Sequence, residues 1–293
     1  MTTALRQFWA ILRKDLIIDL RRKENLVAMF FFALLTLMII YFSASALQTT
    51  RYRLTSRGMD LLTAEGWNQA NIDRLRPLIG ISFTSRGEFF RSAAEARGDS
   101  LSGSEKIALA QAARGSAIED VAAGFLWVTF LLAGVLGLDK SFGQERENGC
   151  MDGLLLTPVS RGVLYLGKMA SNALFLCGVL VLLLPLFSLI FGLNLWGVLA
   201  PLALVMAAGV LGFTALGTLL GGLVSTVRGK EVLLPVLLFP LMVPVLIGVV
   251  HLTSAIFAGE SLWQHGDWIR LVAGFDVVFV VVSYLIFDFV TEA

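Results

Sequence analysis

The 293-residue chain predicts an all-α polytopic membrane protein with six transmembrane helices, and three observations carry that prediction. Hydrophobic residues make up 57% of the chain and charged residues 15%, with a mean hydropathy of +0.79, outside the range of water-soluble domains. The apolar residues gather into runs of about 20 or more, the length an α-helix needs to cross hydrocarbon. Those runs are Leu26–Leu47, Ile118–Leu138, Val163–Phe191, Val198–Val224, Val232–Leu252 and Ile269–Val290. The charges, +1 in sum, are segregated into the segments between them. No nucleic-acid partner is expected of such a chain.

Residues 1–25 read as an amphipathic helix lying at the membrane surface. Leu5, Phe8, Trp9, Leu12 and Leu16 share one helical face, while Arg6, Arg13, Lys14 and Asp15 fall largely elsewhere, which sets a basic face against anionic headgroups. The apolar run of 26–47 is too long for a signal-peptide core, so it is retained as the first span. Basic residues in short flanks mark the cytoplasmic side. Arg6, Arg13, Lys14, Arg21, Arg22 and Lys23 precede the first span; Lys140, Arg146, Arg161 and Lys168 lie in or border the connection from span two to span three; Arg228 and Lys230 separate spans four and five. The connection between spans five and six has only Arg270. Both termini are therefore expected in the cytoplasm.

Residues 48–117 form an insert expected on the outer side and expected to be a small helical unit. Its ten Arg and Lys against seven Asp and Glu do not overturn that placement, because segments longer than about 60 residues translocate largely regardless of charge. Ser102 with Glu105 has the form of a capping box opening a helix through Arg114, a second helix is expected over Trp67–Leu75 with Pro77 closing it, and 84–87 and 97–100 read as turns. The two cysteines, Cys150 and Cys177, cannot staple it, since both lie elsewhere. An insert of about 70 residues is near the lower limit for an independent core, so it is expected to lean on the membrane helices, a partner or the lipid surface.

The remaining chain, 118–290, holds spans two to six. A polar segment, 139–162, interrupts it: Glu145, Arg146, Glu147 and Asn148 precede Gly149, an apolar ridge follows around Leu155, and Thr157-Pro158 ends it. It reads as a short amphipathic surface helix, a docking element for something outside the membrane. Span four carries Gly217 and Gly221, a GxxxG pair that lets helix backbones approach, and packing inside one subunit is the preferred reading over a dimer seam. Span five contains Pro235, Pro240 and Pro244, each of which removes an amide donor, so a straight helix is not expected. Residues 251–268 mix apolar residues with Glu260, Trp263, His265 and Trp268, which suggests a shallow re-entrant or surface-lying hairpin on the outer side.

The stretch QERENGCMDGLLLTPVSRGVLYLGK resembles the loop after the second membrane helix in type-2 ABC exporter membrane subunits and, within them, the haem exporter permease (protein B) family of cytochrome c maturation. RKDLIIDLRRKE, GKEVLLPVLLFPLMVPVLI and WIRLVAGFDVVFVVVSYLIFDFV carry the resemblance over nearly all of the chain outside the insert. It implies a multi-pass protein of the bacterial inner membrane, an amino-terminal elbow helix, and a coupling helix around Glu145–Pro158 that contacts an ABC ATPase subunit. It also implies a homodimer or pairing with a related membrane subunit, haem-handling partners of cytochrome c maturation, and an outer gate near 251–268. Haem would be a substrate rather than a firmly bound cofactor, and ATP with magnesium would bind the partner. An exporter of another amphiphile, or a membrane scaffold without transport, stays open as an alternative.

The chain's own chemistry is sparse. Gly162–Lys168, GVLYLGK, has the glycine and lysine spacing of a P-loop, but Met169 offers no hydroxyl for magnesium and the segment enters a membrane span. No catalytic residue and no metal site are expected. Asp276 is a carboxylate well inside a span, a functional candidate by default, although a structural hydrogen bond is the preferred reading. His251 and His265, the two histidines of the chain, are candidates to touch substrate or form a gate.

Overall fold

The computed structural model describes residues 2–21, 23–46, 50–54, 56–83, 85–147, 160–193, 195–224 and 230–290. Helix α1 (Thr2–Arg21) lies against α8 (Arg161–Phe191), and α2 (Lys23–Ala46) packs on α7 (Ala117–Glu147). Helices α9 (Leu199–Val224), α10 (Lys230–Phe257) and α11 (Gly266–Val290) complete the bundle. Six helices, α2 and α7–α11, contain stretches long and apolar enough to cross a membrane, so the chain is a multi-pass membrane protein. Its main core joins all six: Met29, Leu126, Phe130, Val179, Phe213, Val245 and Val272 belong to one buried cluster. Outward-facing positions stay apolar, as on α2, where Phe31, Leu35, Ile39 and Phe42 are exposed while Met29, Ala33 and Leu37 are buried at spacings of four. A helix apolar on every side suits lipid.

Helix α1 divides its apolar surface. Ile11 and Leu12 are buried, Ile11 reaching the backbone of α8 where Gly167 leaves room, whereas Leu5 and Trp9 are 62% and 61% exposed. The expected stripe of Leu5, Phe8, Trp9, Leu12 and Leu16 is thus not one buried face. The bundle offers α1 a single groove beside Gly167, and the rest of the stripe is left for the boundary between headgroups and acyl chains.

Helix α7 is 31 residues long, about 46 Å at 1.5 Å per residue, against a hydrocarbon core of about 30 Å. Its last nine residues, from Asp139 to Glu147, include five charged side chains, a stretch too polar for hydrocarbon. The short surface helix expected to open at Glu145 is corrected in that part: Glu145, Arg146 and Glu147 form the last turn of α7. Asn148, Gly149, Leu155 and Pro158 lie outside the described residues. Helix α10 is continuous through Pro235, Pro240 and Pro244. The expected re-entrant hairpin is likewise replaced by a short connection, because α10 continues to Phe257 and α11 starts at Gly266.

The insert is not purely helical. Strand β1 (Thr50–Arg53) sits between β2 (Ser82–Phe83) and β3 (Arg114–Ser116), both antiparallel to it, with Tyr52 opposite Phe83 and Thr50 opposite Ser116. Pairing β1 with β3 zips the insert's entry to its exit, closing it as a unit between α2 and α7. Four helices, α3 (Ser56–Ala64), α4 (Gln69–Leu75), α5 (Arg86–Arg97) and α6 (Gly103–Ala112), cover the sheet. They bury a separate core of Leu54, Leu62, Leu75, Phe89, Ala93 and Leu109, with Tyr52 stacked on Phe89 at 5.8 Å. The insert therefore has a buried cluster of its own, and strand pairing at its neck closes the loop, which lowers the chain entropy that a segment of about 70 residues opposes to folding.

The capping box at α6 forms as expected, Ser102 Oγ accepting from Glu105 N and Glu105 Oε2 accepting from Ser102 N. Gly98 turns the chain with φ 80°. Ser85, expected in an isolated turn, instead caps α5, and neither α3 nor α5 was expected; α5 carries no strong apolar stripe, and α3 is a short helix of nine residues. Glu105 also accepts from Arg97 Nη1 at 2.7 Å, and Arg97, a buried residue, holds its guanidinium over Trp67 at 5.4 Å. The backbone and hydroxyl hydrogen bonds from Ser102, then Arg97, hold the Glu105 carboxyl below its ordinary range. A depressed folded-state value contributes stability that is present above the unfolded value and lost as pH falls through the folded one. Acidifying the full chain in detergent is therefore expected to open α5–α6 first, and Glu105→Gln is expected to abolish that pH dependence while destabilising the insert by about 1–3 kcal/mol. Hydrogen exchange along α5–α6 from pH 7 downward checks both.

Candidate functional site

Three features are arranged along α10. At its end the chain reverses through a Schellman motif: Gly259 N donates to Ile256 O at 3.0 Å, Glu260 N donates to Ala255 O at 2.9 Å, and Gly259 takes φ 80°. A 3-10 turn, Leu262–His265, follows, anchored by buried Leu262, and α11 begins. This compact reversal brings His265 back beside His251, the ring centroids 5.3 Å apart at 61°. Trp268, in the first turn of α11, stacks on the His251 ring at 4.8 Å and 21°. Glu260 Oε2 lies 2.9 Å from His265 Nε2. Both histidines singled out in the sequence thus fall in one cluster with Trp268 and Glu260. Trp263 is 85% exposed beside it.

One to three turns earlier, Phe239, Pro240, Val243 and Leu246 of α10 face Val128, Leu131 and Leu132 of α7 across an apolar cleft of about 500 Å³. Pro240 lines it; Pro235 and Pro244 do not. The cleft opens between the second and fifth spanning helices and has no polar lining, so it suits an apolar or amphiphilic molecule.

Behind α10, at the level of Val245, Asp276 of α11 is 4% exposed and its Oδ1 has no hydrogen-bond partner among the described residues. The carboxyl lies against Gly212 of α9, where an added Cβ would come within 2.5 Å of Oδ1. The structural hydrogen bond preferred for Asp276 is thus not found at Oδ1. Gly212 is what admits a carboxylate here, since any side chain at that position would fill its place.

Helix contacts use other polar groups that sequence reasoning passed over. Trp127 Nε1 donates to Thr253 Oγ1 at 2.9 Å, tying α7 to α10; Asn172 Nδ2 donates to Thr218 Oγ1 at 3.1 Å and Tyr165 Oη to Ala215 O at 3.1 Å, tying α8 to α9. Isolated Thr and Asn inside apolar runs were the available signal. Gly217 packs against Leu138 of α7 within the chain, and Gly221 is buried. Gly162 and Lys168, the ends of the P-loop-like string, are buried within helix α8 rather than set in a loop. Lys168, counted above as a flanking charge, is 3% exposed. Among the described residues no group of three or more His, Cys, Asp or Glu is placed to hold a metal ion.

Six helices long and apolar enough to cross a membrane, an apolar cleft, a buried carboxylate at Asp276 and an aromatic-histidine cluster define a polytopic membrane protein. The family profile described as CcmB protein matches residues 107–290, and the chain belongs to that family. The matched region takes in all spans after the first, together with the end of α6, and leaves out residues 1–106, including most of the insert. Among curated proteins, the chain is 33% identical over 130 residues to Heme exporter protein B of Pseudomonas aeruginosa, covering 44% of this chain and 58% of that protein. It is 31% identical over 138 residues to Heme exporter protein B of Rhodobacter capsulatus (46% and 61%), and 32% identical over 129 residues to that of Haemophilus influenzae (43% and 57%). The chain thus spans about three fifths of the length of these relatives.

Proposed function

We propose that this chain is the membrane permease subunit of an ABC transporter in the bacterial inner membrane, coupling ATP hydrolysis by a separate subunit to haem export or to remodelling of a haem chaperone during cytochrome c maturation. The observation that carries this reading is the family membership over residues 107–290, a region that contains both the charged end of α7 and the cleft on α10. The chain works as a homodimer or beside a related membrane subunit, with both termini in the cytoplasm and the insert outside. ATP and magnesium bind the ATPase partner.

Helix α7 supplies the mechanical link. Because Glu145–Glu147 continue the spanning helix without a break, force applied by the ATPase on that turn is transmitted as tilt of α7. Tilting α7 alters the cleft it shares with α10, and α10 ends in the His251–His265–Trp268 cluster. Asp276, Pro240 and the two histidines accordingly bound the route or its outer gate.

Replacing Glu145 and Glu147 together by lysine tests the link. Charge reversal at the proposed docking turn is expected to lower recovery of the ATPase on the purified chain by on the order of tenfold or more, with unchanged abundance in the membrane and loss of cytochrome c maturation. Undiminished co-purification would refute the coupling role. A maturation phenotype insensitive to inactivation of the partner's ATP site would favour the scaffold, and an ATPase recovered without maturation proteins would point to another amphiphile.

A further inference from the structure

We propose that His251 and His265 form a two-imidazole site for a divalent transition-metal ion of the zinc class at the turn between α10 and α11. The proposal stands on the side-chain arrangement and is independent of the export reading. His265 has the support of a ligand: Nε2 lies 2.9 Å from Glu260 Oε2, and a neutral ring donating from Nε2 to that carboxylate would present Nδ1 to a metal ion. A carboxylate behind an imidazole is the usual support of a metal-binding histidine, fixing its tautomer and raising its basicity. His251 is exposed and takes no hydrogen bond from the described residues, so its nitrogens are open, while stacking on Trp268 holds the ring plane.

The spacing accommodates such an ion. Zinc–nitrogen bonds of about 2.0–2.1 Å place an imidazole centroid about 3.2 Å from the metal. Two centroids 5.3 Å apart then subtend about 110° at a common ion, close to the tetrahedral angle. Two axial imidazoles on opposite faces of a haem iron would instead hold their centroids about 6.4 Å apart, with a macrocycle between them. The pair therefore fits cis ligation of a bare ion better than it fits a haem. Water fills the remaining positions of this two-ligand site.

The chain has two histidines, so the test is direct if the full chain is purified in detergent without a histidine tag. Zn²⁺ titrated calorimetrically is expected to bind at one ion per chain, and Co²⁺ to give the visible absorption of a tetrahedral site. His251→Phe, which keeps a ring to stack on Trp268, and His265→Gln are each expected to weaken Zn²⁺ binding by on the order of 100-fold, and Glu260→Gln by about tenfold. Melting curves without zinc establish that each variant is folded. In the unsubstituted chain, Zn²⁺ is expected to protect both histidines from acylation by diethylpyrocarbonate, a readout that needs no variant. Absence of saturable binding, binding that survives either histidine substitution in a folded chain, or protection of fewer than both histidines overturns the site.

Discussion

Gly209→Leu is expected to destabilise the bundle by about 2–5 kcal/mol, the largest effect of any single substitution considered. A Cβ at residue 209 would land on the six-membered ring of Trp127. That ring cannot yield at low cost: Trp127 is 2% exposed, packs edge-on against Phe130 at 5.5 Å, and donates its indole N–H to Thr253. Moving it overpacks α7 and leaves two polar groups unpaired in a medium without water. Gly209→Ala meets the same ring with fewer atoms and is expected to lie between the wild type and the leucine variant. Thermal unfolding in detergent measures the series, and combining Gly209→Ala with Trp127→Phe is expected to cost less than the separate effects together, because the smaller ring relieves the collision. Strict additivity would mean that Gly209 and Trp127 do not share the contact.

Asp276→Val is expected to work in the opposite direction on stability, raising it by about 2–3 kcal/mol. Residue 276 lies about 15 Å along α11 from its start, in mid-span, and is enclosed by α9 and α10 with Oδ1 unpartnered among the described residues. Exchanging that carboxyl for an apolar group of similar size removes a polar burial and keeps the packing at Gly212. Haem-dependent cytochrome maturation is expected to fall in the same variant, since a group that weakens the fold is placed beside the proposed route. Asp276→Asn separates charge from shape: it retains the volume and a polar atom. A valine variant that is both more stable and fully active would remove Asp276 from the route.

The helices that cross the membrane were legible because length and apolarity are local properties. Each of the six expected spans lies largely within a helix of the structure, and the capping box at Ser102–Glu105 announced α6. What failed depended on partners distant in sequence. Strands β1, β2 and β3 have two to four residues each, too few for an alternating pattern, and exist through pairing between Thr50 and Ser116. Glu145 looked like the start of a new helix because charge changes sharply there, yet hydrogen bonds along the backbone carry α7 through it. Helix α1 showed an apolar stripe, but which edge of it is buried depends on the groove at Gly167.

The same division holds for the candidate sites. His251, His265, Pro240 and Asp276 stood out as types of residue that are rare or disruptive in apolar spans, so composition identified them. Their relations came from packing: the reversal at Gly259 sets two imidazoles 5.3 Å apart, and the side-by-side course of α7 and α10 makes the cleft at Pro240. Gly212 leaves the space that Asp276 occupies. Hydrophobicity, a sum over neighbours in the chain, selects membrane crossing and span number. Distances between side chains on different helices depend on how ridges and small residues interlock, and no local pattern in the chain encodes that interlocking.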